Sequence, residues 1–594
     1  MSGYTQEQDQ KQILGHPIGL FVLFFTEMWE RFSYYGMRAI LILFLIAKIS
    51  EGGWGWERKE ATALFGWYVM LVYFLPLLGG WLADHKWGHV KTVIVGASII
   101  TLGHASMAVA DLNIGIDLKF LFYFGLLFIV LGTGLFKPNM SSIVGKMYPT
   151  NSPKKDGAYT IFYMGVNSGA FIGTLLVGWI GEHYNWSWGF GLAGIFMLFG
   201  LLQFANARRI FGEAANKPQP KTVDLSEEEL KKQVPFTQTD LILASIGGVL
   251  AISWIVDGIY NVVTRGGHFL KQNFMEFDLL GNHFNMGLGT FLFLLSIFIF
   301  VVLGLSRIVR FETIERDRLI VVFIIAFFVV FFWASFEQAG TSMTLFARDY
   351  TSRVLTGNWG MIYKTFDVII SLIPMLILTW IISKLATSIY NTYPLTVIFT
   401  TISFVIIWYL VIMRVYDKIT GENTLVDTSW FQILNPFFIV ILAPLYSKIW
   451  KKYKFSGPQK FSIGLTLLGF GFGMLAYGAL EIPNGAKTAS VSMLWLLLAY
   501  LLHTMGELAI SPVGLSYVSK LTPGRMLAFL FGIWYVFTGL AGKLAATMAE
   551  NMDDIAAQQG LSGFFLIFTI IPIIAALIIL LLNRPIKRMM HGIE

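Results

Sequence analysis

The chain has 594 residues, of which 56% are hydrophobic and 13% are charged, and its formal net charge is +7. About 25% of the residues in an average soluble domain are charged, so this composition excludes a soluble globular protein and predicts a membrane protein with many spans. Because the chain contains no cysteine, disulfides, thiolate metal sites and nucleophilic cysteines are excluded as well.

Sixteen apolar stretches are long enough to cross a bilayer. An even number of spans places both termini on one side, and the loops on that side hold most of the Lys and Arg residues. This predicts cytoplasmic termini and a multi-pass protein of the cell inner (plasma) membrane. The same loops account for the positive charge, so no nucleic acid partner is expected. The spans lie at roughly 18–48, 60–83, 92–110, 119–147, 157–181, 188–207, 239–263, 286–306, 319–347, 361–386, 392–415, 430–447, 461–480, 491–518, 525–548 and 561–583.

The first span contains the stretch FFTEMWERFSYYGMRAILILFL, residues 24–45, which is unusually polar for a membrane helix. Helical spacing places its carboxylates, its guanidinium groups and at least one phenol on one face. Each charge at the bilayer centre costs roughly 2.5–3.5 kcal/mol on insertion scales, so this face is expected to line a bundle interior or a watery cavity. The polar residues are Glu27, Glu30, Arg31, Tyr34, Tyr35 and Arg38.

Three polar segments interrupt the later spans. Residues 209–238 are predicted to form the main cytoplasmic linker, in which Ser226 and Glu229 have the spacing of a capping box at the start of a short helix. Residues 264–285 and 416–429 are predicted external loops, and the second shows no regular period.

Charges in the middle of other apolar spans are few: Lys137 in the fourth span, Glu337 in the ninth and Glu507 in the fourteenth. If the seventh, eighth, tenth and eleventh spans are accessory, the charged spans become helices 1, 4, 7 and 10 of a twelve-helix core. These are equivalent positions in two related six-helix halves, and transporter sites lie near the midplane between such repeats. The pattern therefore predicts a central transport cavity, although it does not identify the substrate.

Four motifs resemble one family. The run from Glu27 to Gly36, Glu-x-x-Glu-Arg-Phe-x-Tyr-Tyr-Gly, is similar to the first-helix signature of the proton-dependent oligopeptide transporters within the major facilitator superfamily. Residues 79–92 resemble the superfamily's loop between helices 2 and 3, residues 161–173 the peptide transporters' helix-5 signature, and residues 506–523 their helix-10 signature. The short link at residues 481–490, where animal members carry a large domain, favours a bacterial form.

The resemblance implies an all-α polytopic membrane protein with the major facilitator fold, built from two six-helix halves plus accessory transmembrane helices. We expect an N-terminal half at 1–208, a cytoplasmic linker with two accessory helices at 209–318, and a C-terminal half at 319–594. The C-terminal half contains an additional helix pair near 361–415, which has no counterpart in the common family pattern.

The resemblance also implies a proton-coupled symporter that imports di- and tripeptides by alternating access. A proton-coupled symporter for another small solute, an anion or a peptide-like drug, stays open. An integral membrane enzyme or a channel is disfavoured because the spans show no His-rich metal set, nucleophile elbow, phosphate loop or filter-like polar repeat. The expected partners are small peptides, protons and the lipid bilayer, with no cofactor and no metal, and the oligomeric state is left open.

Site residues are carried over from the family motifs. The residues implied in proton coupling are Glu27, Glu30, Arg31, Lys137 and Glu507. The implied gate salt bridges are Arg38 with Glu337 on the outer side and Lys137 with Glu507 on the inner side. The implied substrate-binding residues are Tyr34, Tyr35, Arg38, Tyr73, Lys137, Tyr163, Asn167, Trp333, Phe336, Glu337, Asn435, Glu507, Ser511 and Trp534.

Each of these assignments has a structural alternative. Charged residues in membrane helices can be pairs that fix packing, and many aromatic residues of a membrane protein only pack or sit at the interfaces. His104 and His503 are interpreted as structural, and Lys543 is an embedded cation for which the sequence suggests no partner.

Overall fold

The computed structural model describes residues 12–110, 118–148, 152–215, 234–279, 282–421, 424–523 and 526–593. Among these residues, fifteen helices are long and apolar enough to cross a membrane. Helix α1 also has the length of a membrane span, 29 residues, but its charged side chains make it too polar to be counted among the fifteen. With α1, each of the sixteen predicted spans corresponds to a helix. Within the described ranges the helices are α1 (Ile18–Ile46), α2 (Arg58–Phe74), α3 (Pro76–Leu82), α4 (His89–Val109), α5 (Phe120–Lys146), α6 (Lys155–His183), α7 (Trp186–Ala207), α8 (Gln238–Thr264), α9 (Leu288–Ile308), α10 (Thr313–Phe336), α11 (Ser342–Asp349), α12 (Gly357–Ile389), α13 (Pro394–Thr420), α14 (Leu434–Lys452), α15 (Gly457–Gly478), α16 (Leu494–Leu521), α17 (Leu527–Glu550), α18 (Met552–Leu581) and α19 (Asn583–Met589).

The two sides of the bundle follow from this order. The crossing helices alternate in direction, with α2 continuing into α3 and α10 into α11, so α1 begins and α18 ends on the same side. We call this the terminal side and the opposite one the far side. The division of the chain at 208/209 and 318/319 stays a prediction, and the nearest long helices end at Ala207 and begin at Thr313.

The strands are short and lie in the connections. Residues 264–285, predicted as a loop, include most of an antiparallel hairpin. Residues 416–429 also differ from the expected irregular loop, because α13 continues to Thr420. The predicted capping box at Ser226 and Glu229 lies outside the described residues. The strand pairs are β1 (Gln12–Ile13) with β2 (His16–Pro17), β3 (Met275–Leu279) with β4 (Asn282–Met286), β5 (Thr351–Ser352) with β8 (Val491–Ser492), and β6 (Val354–Leu355) with β7 (Thr424–Leu425).

Helix α1 is the core of the N-terminal half. It packs most extensively against α6, and small residues allow this approach. A Cβ on Gly169 would collide with the carbonyl of Met28, and one on Gly173 would collide with the carbonyl of Phe32. Every residue of α1 is buried except Tyr35 and Arg38, although this helix carries four charges.

Two helix pairs lie outside the twelve core helices. Helices α8 and α9 pack on each other, and α8 contacts α2 through Trp254 and Trp67, whose ring centroids are 4.7 Å apart. Helices α12 and α13 form a second hairpin, in which α13 packs along α7.

Lys543, for which the sequence suggests no partner, is paired in the structure. Its Nζ lies 2.8 Å from Glu550 Oε1 on the same helix, α17, and 5.0 Å from the centroid of the Trp67 ring. Both side chains are largely buried, which makes the pair part of the packing at the far side.

Candidate transport site

Three charged residues of α1 form a compact buried cluster. Arg31 Nε lies 3.0 Å from Glu27 Oε1 and 2.5 Å from Glu30 Oε2, and the three side chains are at most 5% exposed. The positions i, i+3 and i+4 bring the groups to one face of the helix, as the sequence predicts.

This cluster has unused capacity for hydrogen bonds. Among the described residues, Glu27 Oε2, Glu30 Oε1 and Arg31 Nη2 have no hydrogen-bond partner, and the 2.5 Å contact between Glu30 Oε2 and Arg31 Nε lacks the geometry of a hydrogen bond. Two carboxylates face one guanidinium group, so the cluster has one more acid than base. The charge of Lys137 also acts on both acids, so a proton on either acid changes the charge balance of four buried groups.

Lys137 stands on α5 one residue before Pro138, which lies inside that helix. Its Nζ is 4.6 Å from the centroid of the Tyr73 ring and 6.0 Å from that of Tyr535, both within cation–π distance. No ion pair joins Lys137 to Glu507, both of which belong to the described part of the chain. The implied inner salt bridge is therefore open in this conformation.

The implied outer salt bridge is formed. Arg38 Nη2 contacts Glu337 Oε2, with side-chain exposures of 11% and 4%. Glu337 begins a 3-10 segment, Glu337–Gly340, where the regular turns of α10 end. A Cβ on Gly340 would lie 3.0 Å from Arg38 Nη2, so the glycine leaves room for the guanidinium group.

A cavity lies between the two halves and includes both unburied residues of α1. Glu507 accepts a hydrogen bond from Asn435 Nδ2 at 2.7 Å, and the same Nδ2 lies 3.2 Å from Thr504 Oγ1. The predicted site residues that line this cavity are Tyr35, Arg38, Tyr163, Asn167, Phe336, Asn435 and Glu507.

Other predicted site residues are not among those that line the cavity. Tyr34 is buried, with its ring stacked 6.2 Å from that of Tyr68. Trp534 is buried against Gly514, and Trp333 packs edge-to-face on Phe336 at 5.3 Å. The substrate-binding roles of these residues stay predictions, as do those of Tyr73, Lys137, Glu337 and Ser511.

The cavity is also lined by residues that the family motifs do not mark as site residues. Tyr500 and His503 precede Glu507 on α16 by seven and four positions, so helical periodicity from Glu507 could have found them. His503 packs on Phe472 with ring centroids 4.4 Å apart, which agrees with its structural interpretation, although its ring also lines the cavity. Gln432 donates to Thr344 Oγ1 at 3.0 Å, and no comparable signal marks it.

The far side of the cavity is closed by contacts between the halves. Arg58 of α2 pairs with Asp349 at 2.9 Å and with Asp553 at 2.8 Å. Glu182, near the end of α6, accepts hydrogen bonds from the backbone N–H groups of Thr428 and Ser429, each at 2.8 Å. These residues begin the entry into α14 of the other half.

A buried carboxylate beside these contacts joins three elements. Asp427 lies 2.7 Å from His183 and 3.0 Å from Lys418. Burial raises the pKa of Asp427, but the hydrogen bond from His183 and the charge of Lys418 together hold it below its ordinary value. Asp427 is thus kept as an anion between two basic side chains.

The cavity is open on the terminal side, as the exposure of side chains along α6 indicates. Residues 169–181 at its far end are all buried. In its terminal half, Tyr163 lines the cavity and is 46% exposed. With the far side closed by the contacts described above, the cavity faces the terminal side.

A family model described as "PTR2: POT family" matches residues 90–227 and 393–563, which is more than half of the chain. The chain belongs to the POT family. Its similar relatives include the peptide transporter YePEPT of Yersinia enterocolitica subsp. palearctica serotype O:3 (strain YE-P4), 32% identical over 601 residues that cover 100% of this chain and 99% of the relative. A di-/tripeptide transporter of Lactococcus lactis subsp. cremoris is 30% identical over 593 residues, covering 98% and 99%.

Solved POT structures share the fold over the whole length. A mutant of a peptide transporter POT in complex with alafosfalin has a TM-score of 0.68 and 29% identity, covering 98% of each chain. A POT family transporter in complex with 5-aminolevulinic acid has a TM-score of 0.68 and 26% identity, covering 97% of this chain and 98% of its own. These findings confirm the predicted major facilitator fold with accessory helices and identify this protein as a multi-pass membrane transporter.

Proposed function

We propose that this POT protein is a proton-coupled symporter that imports di- and tripeptides by alternating access across the cell inner membrane. The terminal side is then the cytoplasmic side, as the distribution of Lys and Arg residues favours. The transported proton is the coupling ion, and no other cofactor takes part.

The observation that carries this proposal is the placement of opposite charges in one cavity. Arg38 stands on the wall formed by the N-terminal half, and Glu507 with Asn435 stands on the wall formed by the C-terminal half. A peptide without charged side chains is negative at one end and positive at the other. Burying either end unpaired is unfavourable, so a dry cavity for such a solute needs both signs.

In this proposal Arg38 and Lys137 receive the peptide carboxylate, and Glu507, Asn167 and Asn435 receive its amino group. Tyr35, Tyr163 and Phe336 contribute aromatic walls. With the ends of the backbone fixed by few polar groups, side chains of different sizes can fill the remaining space, which suits a transporter with broad specificity.

Glu27, Glu30 and Arg31 are the proposed proton relay. The two acids share one cation in a buried site, so uptake of a proton changes which acid the cation pairs with. Such a change on α1 acts on the helix that also carries Arg38, one half of the far-side salt bridge. Proton uptake and gate opening can then belong to one coupled equilibrium.

Uptake by proteoliposomes with an imposed pH gradient tests this function. We expect labelled di- and tripeptides to accumulate when the outside is acidic, and accumulation to collapse when a protonophore dissipates the gradient. Glu507→Gln should lose gradient-driven uptake, whereas Glu481→Gln, a control at an exposed acid of the far side, should retain it. Uptake that is unchanged without a gradient would refute the coupling.

A symporter for another small zwitterion is the second candidate. One solved POT family transporter is in complex with 5-aminolevulinic acid, which carries an amine and a carboxylate but no peptide bond. The same two charged walls fit such a solute. Competition decides between the candidates: a dipeptide should block uptake of labelled 5-aminolevulinic acid in the micromolar to millimolar range if peptides are the substrates, and should leave it unchanged otherwise.

A further inference from the structure

The hairpin of α12 and α13 belongs to one half by sequence and contacts the other half in space. Its connections run from α11 and into α14, both of the C-terminal half. Yet α13 packs along α7 of the N-terminal half, and α12 also touches α1. The two assignments conflict, because the halves move relative to each other in alternating access.

Hydrogen bonds tie the hairpin to α7 near the terminal side. Thr396 Oγ1 donates to the carbonyl oxygen of Gln203 at 3.0 Å, and Thr400 Oγ1 donates to Gln203 Oε1 at 2.8 Å. All three residues are at most 2% exposed. Polar groups in such a dry contact keep their partners, because separation would leave them unsatisfied.

Gln203 continues this connection to α1. Its Nε2 donates to the carbonyl oxygen of Val22 at 3.1 Å, and its Oε1 also accepts from Trp29 Nε1 at 3.3 Å. Trp29 adjoins Glu30 of the charged cluster. The hairpin thus helps to hold the helix that carries the proposed proton relay.

An aromatic contact extends the same interface towards the middle of the bundle. The ring of Phe404 on α13 lies 5.5 Å from that of Trp29 and 5.8 Å from that of Phe25, in edge-to-face arrangements. Aromatic pairs in this geometry add to the stability that burial provides.

Contacts between the hairpin and the C-terminal half are grouped at the far side. Trp430 Nε1 donates to Asp367 Oδ1 at 2.8 Å, and the rings of Phe366 and Phe437 lie 5.5 Å apart. Within the hairpin, Arg414 binds both oxygens of Asp367 at 2.7 and 2.9 Å. This grouping leaves the terminal end of the hairpin fixed to the N-terminal half.

We propose that the α12–α13 hairpin moves with the N-terminal half during transport and pivots on the C-terminal half at the Asp367–Trp430 contact. The hairpin then supports α1 through Gln203 in both conformations. This inference rests on the alternating access of the proposed function, but it does not depend on which solute is carried.

Distances between spin labels test this motion. The chain contains no cysteine, so introduced cysteines are the sole labelling sites. Exposed positions at the terminal side are Asn391 in the hairpin, Asn206 in the N-terminal half and Lys454 in the C-terminal half. The pair Asn206→Cys with Lys454→Cys reports the movement of the two halves relative to each other. Because this measurement needs no substrate, a failure of this inference can be told from a failure of the proposed function.

The distances are compared between the parent protein and a Glu182→Ala background, which weakens far-side closure. We expect the Asn391–Asn206 distance to stay constant while the Asn391–Lys454 distance changes together with the Asn206–Lys454 distance. A constant Asn391–Lys454 distance beside a changed Asn206–Lys454 distance would overturn the inference. A change in both the Asn391–Asn206 and the Asn391–Lys454 distance would overturn it as well.

Neighbouring threonines provide a matched control. Thr400→Val removes the hydroxyl bonded to Gln203, whereas Thr401→Val makes the same substitution at an exposed position of the same helix. We expect a broader Asn391–Asn206 distance distribution in Thr400→Val, and the parent distribution in Thr401→Val and in Thr400→Ser, which keeps the hydroxyl. Equal distributions in the two valine variants would contradict the proposed attachment.

Discussion

Removing the Glu182 carboxylate should open the far side of the transporter. This acid belongs to α6 of the N-terminal half, and its two oxygens accept the backbone N–H groups of Thr428 and Ser429 at 2.8 Å each. These N–H groups lie at the start of the 3-10 segment Ser429–Ile433 of the C-terminal half. An outward-facing state separates the halves here, so Glu182→Ala weakens only the closed form.

The size of the effect follows from the two bonds. Hydrogen bonds to a charged group contribute about 1.5–3 kcal/mol, and both partners regain water when the far side opens. A carboxylate at a helix N-terminus adds a few tenths of a kcal/mol. A net loss of about 2 kcal/mol corresponds to a shift of about 30-fold in the ratio of outward- to inward-facing molecules.

Spin labels at two exposed far-side positions measure that ratio. Ile49 follows α1 and is 80% exposed, and Leu480 follows α15 and is 68% exposed, so a cysteine at each reports the separation of the halves. Glu182→Ala should enrich the long-distance population. Asp554→Ala removes an exposed acid on the same side and serves as the control. Equal populations in the two variants would refute a role of Glu182 in closure.

Three further results are expected. Arg414→Leu leaves the fully buried Asp367 without its ion-pair partner and should lower the free energy of unfolding by about 3–5 kcal/mol, measured by thermal or denaturant unfolding in detergent. The double variant Arg414→Leu/Asp367→Leu should recover part of this loss. Gly178→Leu places a side chain where Ser429 packs and should raise the outward-facing population in the same distance assay, while an unchanged ratio would contradict the close packing. Asp427→Asn should leave the pH of half-maximal uptake unchanged. The pKa of Asp427 is held below its ordinary value, so its contribution to stability is present above the pKa of the unfolded state and is lost only as the pH falls through the lower pKa of the folded state. A shift of that midpoint in a pH series of uptake would show that Asp427 titrates during transport.

The sequence predicts the helices and the charged face of α1 because lipid imposes strong rules on both. An apolar stretch of about 20 residues crosses the bilayer, and a charge inside it needs a polar environment. Arg38 and Tyr35 are accordingly the two residues of α1 that are not buried. Tyr34 is buried in the helix packing, because adjacent positions on a helix point in directions that differ by 100°, and its role in substrate binding stays a prediction.

Contacts between distant segments are harder to infer. Nothing in the local sequence indicates that Glu182 meets Ser429, because the bond depends on where α6 ends relative to α14. The Lys543–Glu550 pair was missed although a signal exists: seven residues are about two turns, which returns to the same face of α17. Thr396 and Thr400 form a similar signal in an apolar span, and they mark the face of α13 that packs on Gln203.

In the proposed mechanism, the charges in and beside the cavity connect substrate binding to the gates. In this conformation Arg38 is paired with Glu337, so a peptide carboxylate that binds Arg38, as proposed, must compete with Glu337 for the guanidinium group. Glu337 is 3% exposed, and losing its partner would leave an unpaired carboxylate in a dry site unless it gained a proton or another cation. In the proposed mechanism, occupation of the cavity and protonation of a buried acid are therefore favourable together and costly apart, which is the thermodynamic requirement for symport.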